Sequence, residues 1–419
     1  MLAFLIALIK IVFLLGFLIF IHELGHFTVA KLCKVKVNEF AIGFGPTIWK
    51  KQGKQTKYAL RLIPLGGFVS MEGEEERSES EGSFSQASIP KRMAIVVAGA
   101  TVNIFFAIML YFGLIATQNN FVSTKIESIL PEYAAAQSEL QVGDEIVKIE
   151  GKDIHLKTDM DEILQNSEGK PLTITIKRND QLLDVEVTPT AQEYKSTGIY
   201  LEGGDDTSTK VLMVEKGSTA QKHGIQANDK ILQINGKTIT NQQEIIEQIN
   251  QTTGDSLLLV LQRGNEEITI ELPLDKMYAY YLGVQFEEAP LNLGNRIYYG
   301  FWGTVEFLSS IVDNVRQLFT GNVSMQQMMG PVGIFEVVAK TEGIREFVYM
   351  LALISISLGV TNLLPIPALD GGKLLLLIIE AIRRKKLSEK MEINIQLLGF
   401  AFLITLSIFV AYQDILRIL

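Results

Sequence analysis

The stretch FLIFIHELGHFTVAKL, residues 17–32, places two histidines and a glutamate where a long apolar run ends. Residues 2–21 carry a single charge, Lys10, and are long enough to cross a hydrocarbon core of ~30 Å at ~1.5 Å per residue. The run lacks the basic start and the cleavage site of a signal peptide. Ionisable side chains at membrane depth are costly and usually functional. The sequence therefore predicts a retained transmembrane helix that carries a functional site.

Three further segments are free of charged residues, at 93–117, 347–369 and 393–413. With the first segment they predict a polytopic α-helical membrane protein with four transmembrane helices. Lys and Arg concentrate in two loops, with eleven in residues 31–92 and six in residues 370–392. Both loops are therefore predicted to face the cytoplasm. The 229 residues between the second and third spans would then be extracytoplasmic.

Composition excludes several classes of protein. The formal net charge of −9 is spread along the chain, which predicts no nucleic-acid partner and leaves the lipid bilayer as the expected environment. Cys33 is the single cysteine, so no intramolecular disulfide can form. Residues 71–83, MEGEEERSESEGS, are acidic and polar throughout, and they predict a flexible cytoplasmic linker.

The predicted extracytoplasmic segment contains a duplication. LQVGDEIVKIEGKDI, residues 140–154, aligns without gaps on IQANDKILQINGKTI, residues 225–239. The pattern predicts two copies of a strand–turn–strand unit followed by a helix. It resembles circularly permuted PDZ domains over residues 123–190 and 197–275, and the loop at 197–204 would hold a peptide carboxylate. Peptide binding and a simple size filter both remain open for this pair.

The HExxH pattern predicts a zinc site. His22 and His26 lie at positions i and i+4 of a helix, so two imidazoles on one face can reach a single Zn²⁺. Glu23 lies beside them and is placed to take a proton from a metal-bound water. The alternative is a pair of histidines that snorkel at a helix end.

A hydrolytic zinc site needs a third protein ligand and one open position. The candidate is Asp370 in TNLLPIPALDGGKL, residues 361–374, where Pro365 and Pro367 interrupt the third span. In the predicted topology Asp370 lies at the same depth as His22. The alternative for Asp370 is that it caps the helix that follows.

These motifs resemble those of the site-2 protease family of intramembrane zinc metalloproteases. The resemblance rests on HExxH in the first span, the PDZ-like repeats and NxxPxPxLDGG near the end of the third span. It implies that His22, His26 and Asp370 bind zinc and that Glu23 is the catalytic base. It also implies that Asn362 holds substrate or stabilises the transition state, with hydrogen bonding between helices as the alternative.

The second span departs from the family pattern. In VAGATVNIF, residues 97–105, Ala100 stands where the family usually has proline, which puts a local kink in doubt. Asn103 in the same span is more typical of a helix-packing residue than of a catalytic one.

Residues 35–50 and 55–69 read as two extended segments around a turn at Gly53, and predict a membrane-associated β-hairpin. The edge of such a hairpin can pair with an unwound substrate helix. A purely structural hairpin is the alternative. The GFGP and PLGGFV motifs match the family, and the resemblance implies that four glycines bind substrate, namely Gly43, Gly45, Gly66 and Gly67.

The predicted organisation has five parts. They are spans one and two with the hairpin at 1–117, PDZ-like domains at 123–190 and 197–275, an amphipathic juxtamembrane region at 291–340, and spans three and four at 345–419.

The resemblance implies a zinc endopeptidase of the bacterial cytoplasmic membrane, with its active site near the cytoplasmic side. It would cut single-span proteins already shortened outside, of the anti-sigma factor type, or remnant signal peptides. The alternatives are a non-catalytic PDZ membrane scaffold, an ion transporter, and a metalloprotease that acts on ordinary soluble proteins.

Overall fold

The computed structural model describes residues 2–74, 76–201, 208–320 and 330–418. The chain divides into two compact units. Of the described residues, the helical unit contains those up to Thr117 and those from Gly303 on, and the β-rich unit contains Gln118–Trp302. In chain order the α-helices are α1 (Leu2–Leu32), α2 (Ile89–Ala116), α3 (Lys157–Asn166), α4 (Thr219–Lys222), α5 (Gln242–Gln251), α6 (Leu293–Thr320), α7 (Pro331–Lys340), α8 (Ile344–Asn362), α9 (Asp370–Arg383) and α10 (Glu389–Ile418).

Four helices in the described part of the chain are long and apolar enough to cross a membrane. They are α1, α2, α8 and α10, with candidate spans at Phe4–Leu32, Ile89–Ala116, Ile344–Asn362 and Glu389–Ile415. These correspond to the four apolar segments of the sequence, but two boundaries differ. Helix α1 runs on through the HExxH motif to Leu32, so the motif lies within the helix. Helix α8 ends at Asn362, before the two prolines.

Small residues bring the membrane helices close together. A Cβ built on Gly25 of α1 would lie 2.6 Å from the Ala98 carbonyl oxygen of α2. On the other side of α2, a Cβ on Gly359 of α8 would lie 2.9 Å from the Ala100 oxygen. Backbones that approach this closely are typical of helix packing in membranes. Helix α2 is continuous across Ala100, and both contacts fix it between α1 and α8.

The hairpin strands are β1 (Val37–Gln52) and β2 (Lys57–Met71), which pair antiparallel. Both strands are bent, as the pairing of Glu39 with both Ser70 and Lys57 shows. The segment 37–42 therefore lies between residues 57–60 and residues 67–71. Within the described chain, segment 67–71 has no strand partner on its outer side and forms a free sheet edge.

Hydrogen bonds hold the residues after the hairpin in a defined conformation, so the flexible linker predicted at 71–83 is wrong. Ser83 is 1% exposed, and its hydroxyl donates to the Ser78 carbonyl oxygen at 2.9 Å. The Arg77 guanidinium donates to the Leu387 carbonyl oxygen, just before α10, at 2.5 Å. Serine hydroxyls and one guanidinium thus replace the apolar core that the composition lacks.

The β-rich unit holds the remaining strands. They are β3 (Val122–Ile129), β4 (Glu145–Ile149), β5 (Lys152–Asp153), β6 (Leu172–Arg178), β7 (Gln181–Val187), β8 (Thr190–Ser196), β9 (Ile199–Leu201), β10 (Val211–Val214), β11 (Lys230–Ile234), β12 (Lys237–Thr238), β13 (Ser256–Arg263), β14 (Glu266–Pro273), β15 (Asp275–Tyr281) and β16 (Val284–Glu288). One sheet has the order β16-β3-β4-β6-β7 with β5 on β4, and another has the order β12-β11-β13-β14.

The two repeats share an ion pair as well as a strand pattern. In the first repeat the Arg178 guanidinium donates from Nε to Asp144 Oδ1 at 2.7 Å. In the second repeat Arg263 makes the same bond to Asp229 Oδ1 at 2.8 Å. Each aspartate is 1% exposed. The first pair joins the start of β4 to the end of β6, and the second joins the start of β11 to the end of β13.

The second repeat is inserted into the first. Strand β16 follows the second repeat in the chain, yet it pairs antiparallel with β3 of the first repeat. Strands β8 and β15 pair along their whole length and form the two connections between the repeats. The boundaries predicted at 123–190 and 197–275 do not include β16. Two predicted segments lie partly outside the described residues. They are the carboxylate-binding loop, from residue 202 on, and the juxtamembrane region, at residues 321–329.

Candidate metal centre

Three predicted ligands converge in the helical unit. His22 Nε2 lies 3.1 Å from His26 Nε2, and Asp370 Oδ2 lies 3.2 Å from the first and 3.3 Å from the second. The two histidines are 8% and 9% exposed. The three atoms therefore form a nearly equilateral triangle, shielded from solvent.

Helix geometry and two prolines bring these side chains together. His22 and His26 lie one turn apart on α1. The chain turns after α8 and restarts as α9 at Asp370, while Leu369 takes the N-cap position. Glycines make the turn possible: a Cβ on Gly371 would lie 2.2 Å from the Leu364 carbonyl oxygen. Asp370 thus points its carboxylate at the histidines from the first residue of a helix.

The triangle fits a zinc ion. Ligand atoms at ~2.0–2.1 Å from a tetrahedral Zn²⁺ lie ~3.3–3.4 Å from one another, close to the observed separations. Asp370 Oδ2 is buried and has no hydrogen-bond partner in the described chain, which fits a carboxylate oxygen whose partner is a cation. Two imidazoles and one carboxylate are also a usual ligand set for catalytic zinc.

Helix α2 contacts both imidazoles from behind. The Ile95 carbonyl oxygen lies 2.8 Å from His26 Nδ1, and the Asn103 side-chain nitrogen lies 3.3 Å from His22 Nδ1. Between them, Gly99 leaves room for both rings. Sequence reasoning missed this function of α2. A buried asparagine in an apolar helix was the available signal.

A cavity of about 440 Å³ opens beside the three ligands. Glu23 lines it, and so does the free edge of the hairpin from Phe68 to Met71. Lys373 and Glu74, also in its wall, form an ion pair with Nζ 2.9 Å from Oε1. The cavity therefore places a carboxylate, a free strand edge and the ligand triangle around one space.

The other predicted site residues lie at different distances from this cavity. A Cβ on Gly67 would lie 3.4 Å from Glu23 Cγ, so the hairpin backbone passes close to the glutamate side chain. Gly43, Gly45 and Gly66 have positive φ angles and form the bends of the hairpin. Asn362 is the last residue of α8 and is not among the described residues that line the cavity.

The chain is similar to known proteins along almost its whole length. The sequence profile of peptidase family M50 matches residues 10–406. A putative zinc metalloprotease of Vibrio cholerae serotype O1 is 30% identical over 440 residues, which cover 96% of this chain and 97% of the relative. The regulator of sigma-E protease RseP of Escherichia coli K12 is 29% identical over 455 residues, with 100% of both chains covered. Among solved structures, the PDZ domain of HtrA3 bound to a phage-derived ligand matches 22% of this chain and 93% of its own, with 22% identity and a TM-score of 0.19.

Proposed function

The chain belongs to peptidase family M50 and is a zinc metalloprotease of the site-2 type, and on that premise we propose that it cuts peptide bonds within membrane-spanning segments of other proteins. The observation that carries this proposal is the ligand triangle. Its three atoms have the spacing of a tetrahedral zinc site, and the two histidine nitrogens among them belong to a helix apolar enough to cross a membrane.

His22, His26 and Asp370 would hold the zinc ion. When bound there, Zn²⁺ would lower the pKa of a water molecule and polarise the scissile carbonyl. Glu23 follows His22 directly in the helix and lines the same cavity, so its carboxylate is placed to accept a proton and return it to the leaving amine.

The free edge of the hairpin would hold the substrate. A transmembrane helix must unwind before it is cut, and its backbone groups then need new partners. Residues 67–70 have no strand partner on their outer side, so their backbone donors and acceptors there can pair with another chain along the cavity wall. Strand addition at this edge would supply those partners beside Glu23, for which Gly67 leaves space.

The distribution of Lys and Arg supports a place in the cytoplasmic membrane, with the metal centre near the cytoplasmic side and the β-rich unit outside. Relatives named as regulators of sigma E support substrates of the anti-sigma factor type. The family resemblance adds remnant signal peptides. In both classes the substrate would be a single-span protein already shortened outside the membrane.

The test compares purified wild type with Glu23→Gln on single-span substrates in proteoliposomes, with and without a zinc chelator. Glu346→Gln at the start of α8, away from the metal centre, is the matched charge control. We expect cleavage within the span by wild type and the control only, and loss of cleavage with chelator. Equal cleavage of the same sequence presented as a soluble loop peptide would contradict the intramembrane assignment. Unchanged proteolysis by Glu23→Gln with zinc retained would contradict the role of Glu23.

A further inference from the structure

The outer nitrogen of each ligand histidine contacts one face of α2. Ile95, Gly99 and Asn103 are spaced four residues apart, so they form a single stripe along this helix. The first and last of them contact the Nδ1 atoms of His26 and His22, on the side of each ring that faces away from Asp370. This stripe is therefore in position to set which ring nitrogen carries the proton.

The contact to His26 has only one reading. A backbone carbonyl oxygen can only accept a hydrogen bond, so His26 Nδ1 must carry the proton that it donates to Ile95. In a neutral imidazole the other nitrogen is then unprotonated. His26 Nε2 consequently presents a lone pair to the ligand triangle, as a zinc ligand must.

Asn103 can accept a hydrogen bond from His22 Nδ1, as the Ile95 carbonyl oxygen accepts one from His26 Nδ1. Its side chain is 0% exposed, and its Oδ1 has no hydrogen-bond partner in the described chain. The oxygen and nitrogen of an amide have nearly the same shape, and rotation about Cβ–Cγ exchanges them. The structure has Nδ2 at 3.3 Å from His22 Nδ1. With Oδ1 in that place instead, Asn103 accepts the Nδ1 proton of His22.

We propose that Asn103 is a positioning residue that holds His22 in the tautomer with a proton on Nδ1, and so keeps His22 Nε2 free to bind zinc. The inference rests on the proposed function, since it needs His22 to be a ligand. In the opposite orientation the amide nitrogen would donate to Nδ1, and Nε2 would carry the proton and repel a cation.

The rival role for Asn103 is helix packing, and the structure separates the two. Ser355 of α8 donates from Oγ to the backbone oxygen of Asn103 at 2.9 Å, and Ser355 is 0% exposed. That bond joins α8 to α2 through the Asn103 main chain and does not involve the side-chain amide of Asn103. Ser355→Ala therefore removes a packing contact at the same position and leaves the contact to His22 intact.

The test is the zinc dissociation constant of the full-length protein in detergent, measured by competition with a chromophoric chelator. Asn103→Leu and Asn103→Ala remove the acceptor, Asn103→Asp keeps it, and Ser355→Ala is the packing control. Loss of a hydrogen-bond partner of a ligand histidine typically weakens metal binding by ~10–100-fold. We expect this loss for the leucine and alanine variants, rescue by aspartate, and wild-type affinity for Ser355→Ala.

Unfolding of the zinc-free proteins is followed in parallel and shows which variants are folded. One folded variant without the acceptor, Asn103→Leu or Asn103→Ala, is enough for the test. Wild-type affinity in a folded Asn103→Leu or Asn103→Ala protein would overturn the inference and leave the proposed function standing. An equal loss in Ser355→Ala would assign Asn103 to packing and overturn it as well. If wild type itself binds no zinc, the proposed function fails first, and the inference with it.

Discussion

Replacing Gly99 by alanine should abolish zinc binding without unfolding the helices around the site. The Cβ atom of the new residue would lie 2.4 Å from His26 Nε2 and 2.7 Å from His22 Nε2. Both are far below an ordinary contact of ~3.5 Å between heavy atoms. The methyl group thus occupies the space in which the two ligand nitrogens meet.

The size of the effect follows from these distances. To relieve the overlap, at least one imidazole must move by about 1 Å, because the shortfall from a normal contact is that large. Metal sites tolerate deviations of ~0.2 Å in their ligand distances. A displaced ligand should therefore weaken zinc binding by more than the ~10–100-fold that loss of an outer hydrogen bond costs.

The rest of the helix should not be harmed. Alanine is favoured over glycine in a helix by ~0.8–1 kcal/mol, and the clashing atoms are the ends of two side chains rather than backbone. Gly113→Ala is the matched control, since it lies in the same helix with nothing within 4 Å of its added Cβ. Both variants should unfold at or above the wild-type temperature when zinc-free.

Chelator competition gives the zinc affinity, and cleavage of a single-span substrate gives the activity. We expect both to be lost in Gly99→Ala and both to be kept in Gly113→Ala. Wild-type zinc affinity in a folded Gly99→Ala protein would refute the reasoning, because it would mean that the two imidazoles do not converge beside α2.

Two further predictions concern charge pairs. The Arg92 guanidinium bonds both carboxylate oxygens of Glu380, at 3.1 and 2.6 Å, and both side chains are about nine-tenths buried. Arg92→Met should lower the free energy of unfolding by ~3–5 kcal/mol, and adding Glu380→Met should recover most of it in a double-mutant cycle; a neutral single variant would argue against a buried pair. In the first repeat, burial opposes ionisation of Asp144, but hydrogen bonds from Arg178 and the Gln141 N–H hold the pKa of that carboxyl below its ordinary value. This stabilisation should be complete above pH ~4 and be lost as the pH falls through the lower pKa of the folded state, and hydrogen exchange of β4 and β6 should show no such acid loss in Asp144→Asn.

Local patterns predicted the parts of the protein that depend on few residues. The candidate ligands were visible because i, i+4 spacing on a helix and a loop with two prolines and two glycines leave signatures within a few residues. The four apolar segments were visible because a span needs only length and a lack of charge. The prediction of a flexible linker failed because composition does not show that the Ser83 hydroxyl bonds back to Ser78 or that Arg77 finds a partner at Leu387.

Contacts between distant residues could not be predicted in this way. Asn103 lies 81 residues from His22, and its spacing in α2 is also that of an ordinary packing residue. The pairing of β16 with β3 joins strands on either side of a complete repeat, while the internal alignment ends before β16. Such pairings depend on the register of the whole sheet, which no single stretch of sequence contains.

The position of β16 also sets an order of events during synthesis. The contact of Lys125 with Glu287 joins residues 162 positions apart in the chain. Strand β3 therefore cannot pair with β16 until the whole second repeat has been synthesised. The second repeat is complete at Pro273 and can form first, against the usual order in which N-terminal elements lead. Once β8 and β15 pair, the open loop between β3 and β16 is much shorter, which reduces the entropy lost on closing the first sheet. The inserted repeat would thus act as a folding template for the repeat that contains it.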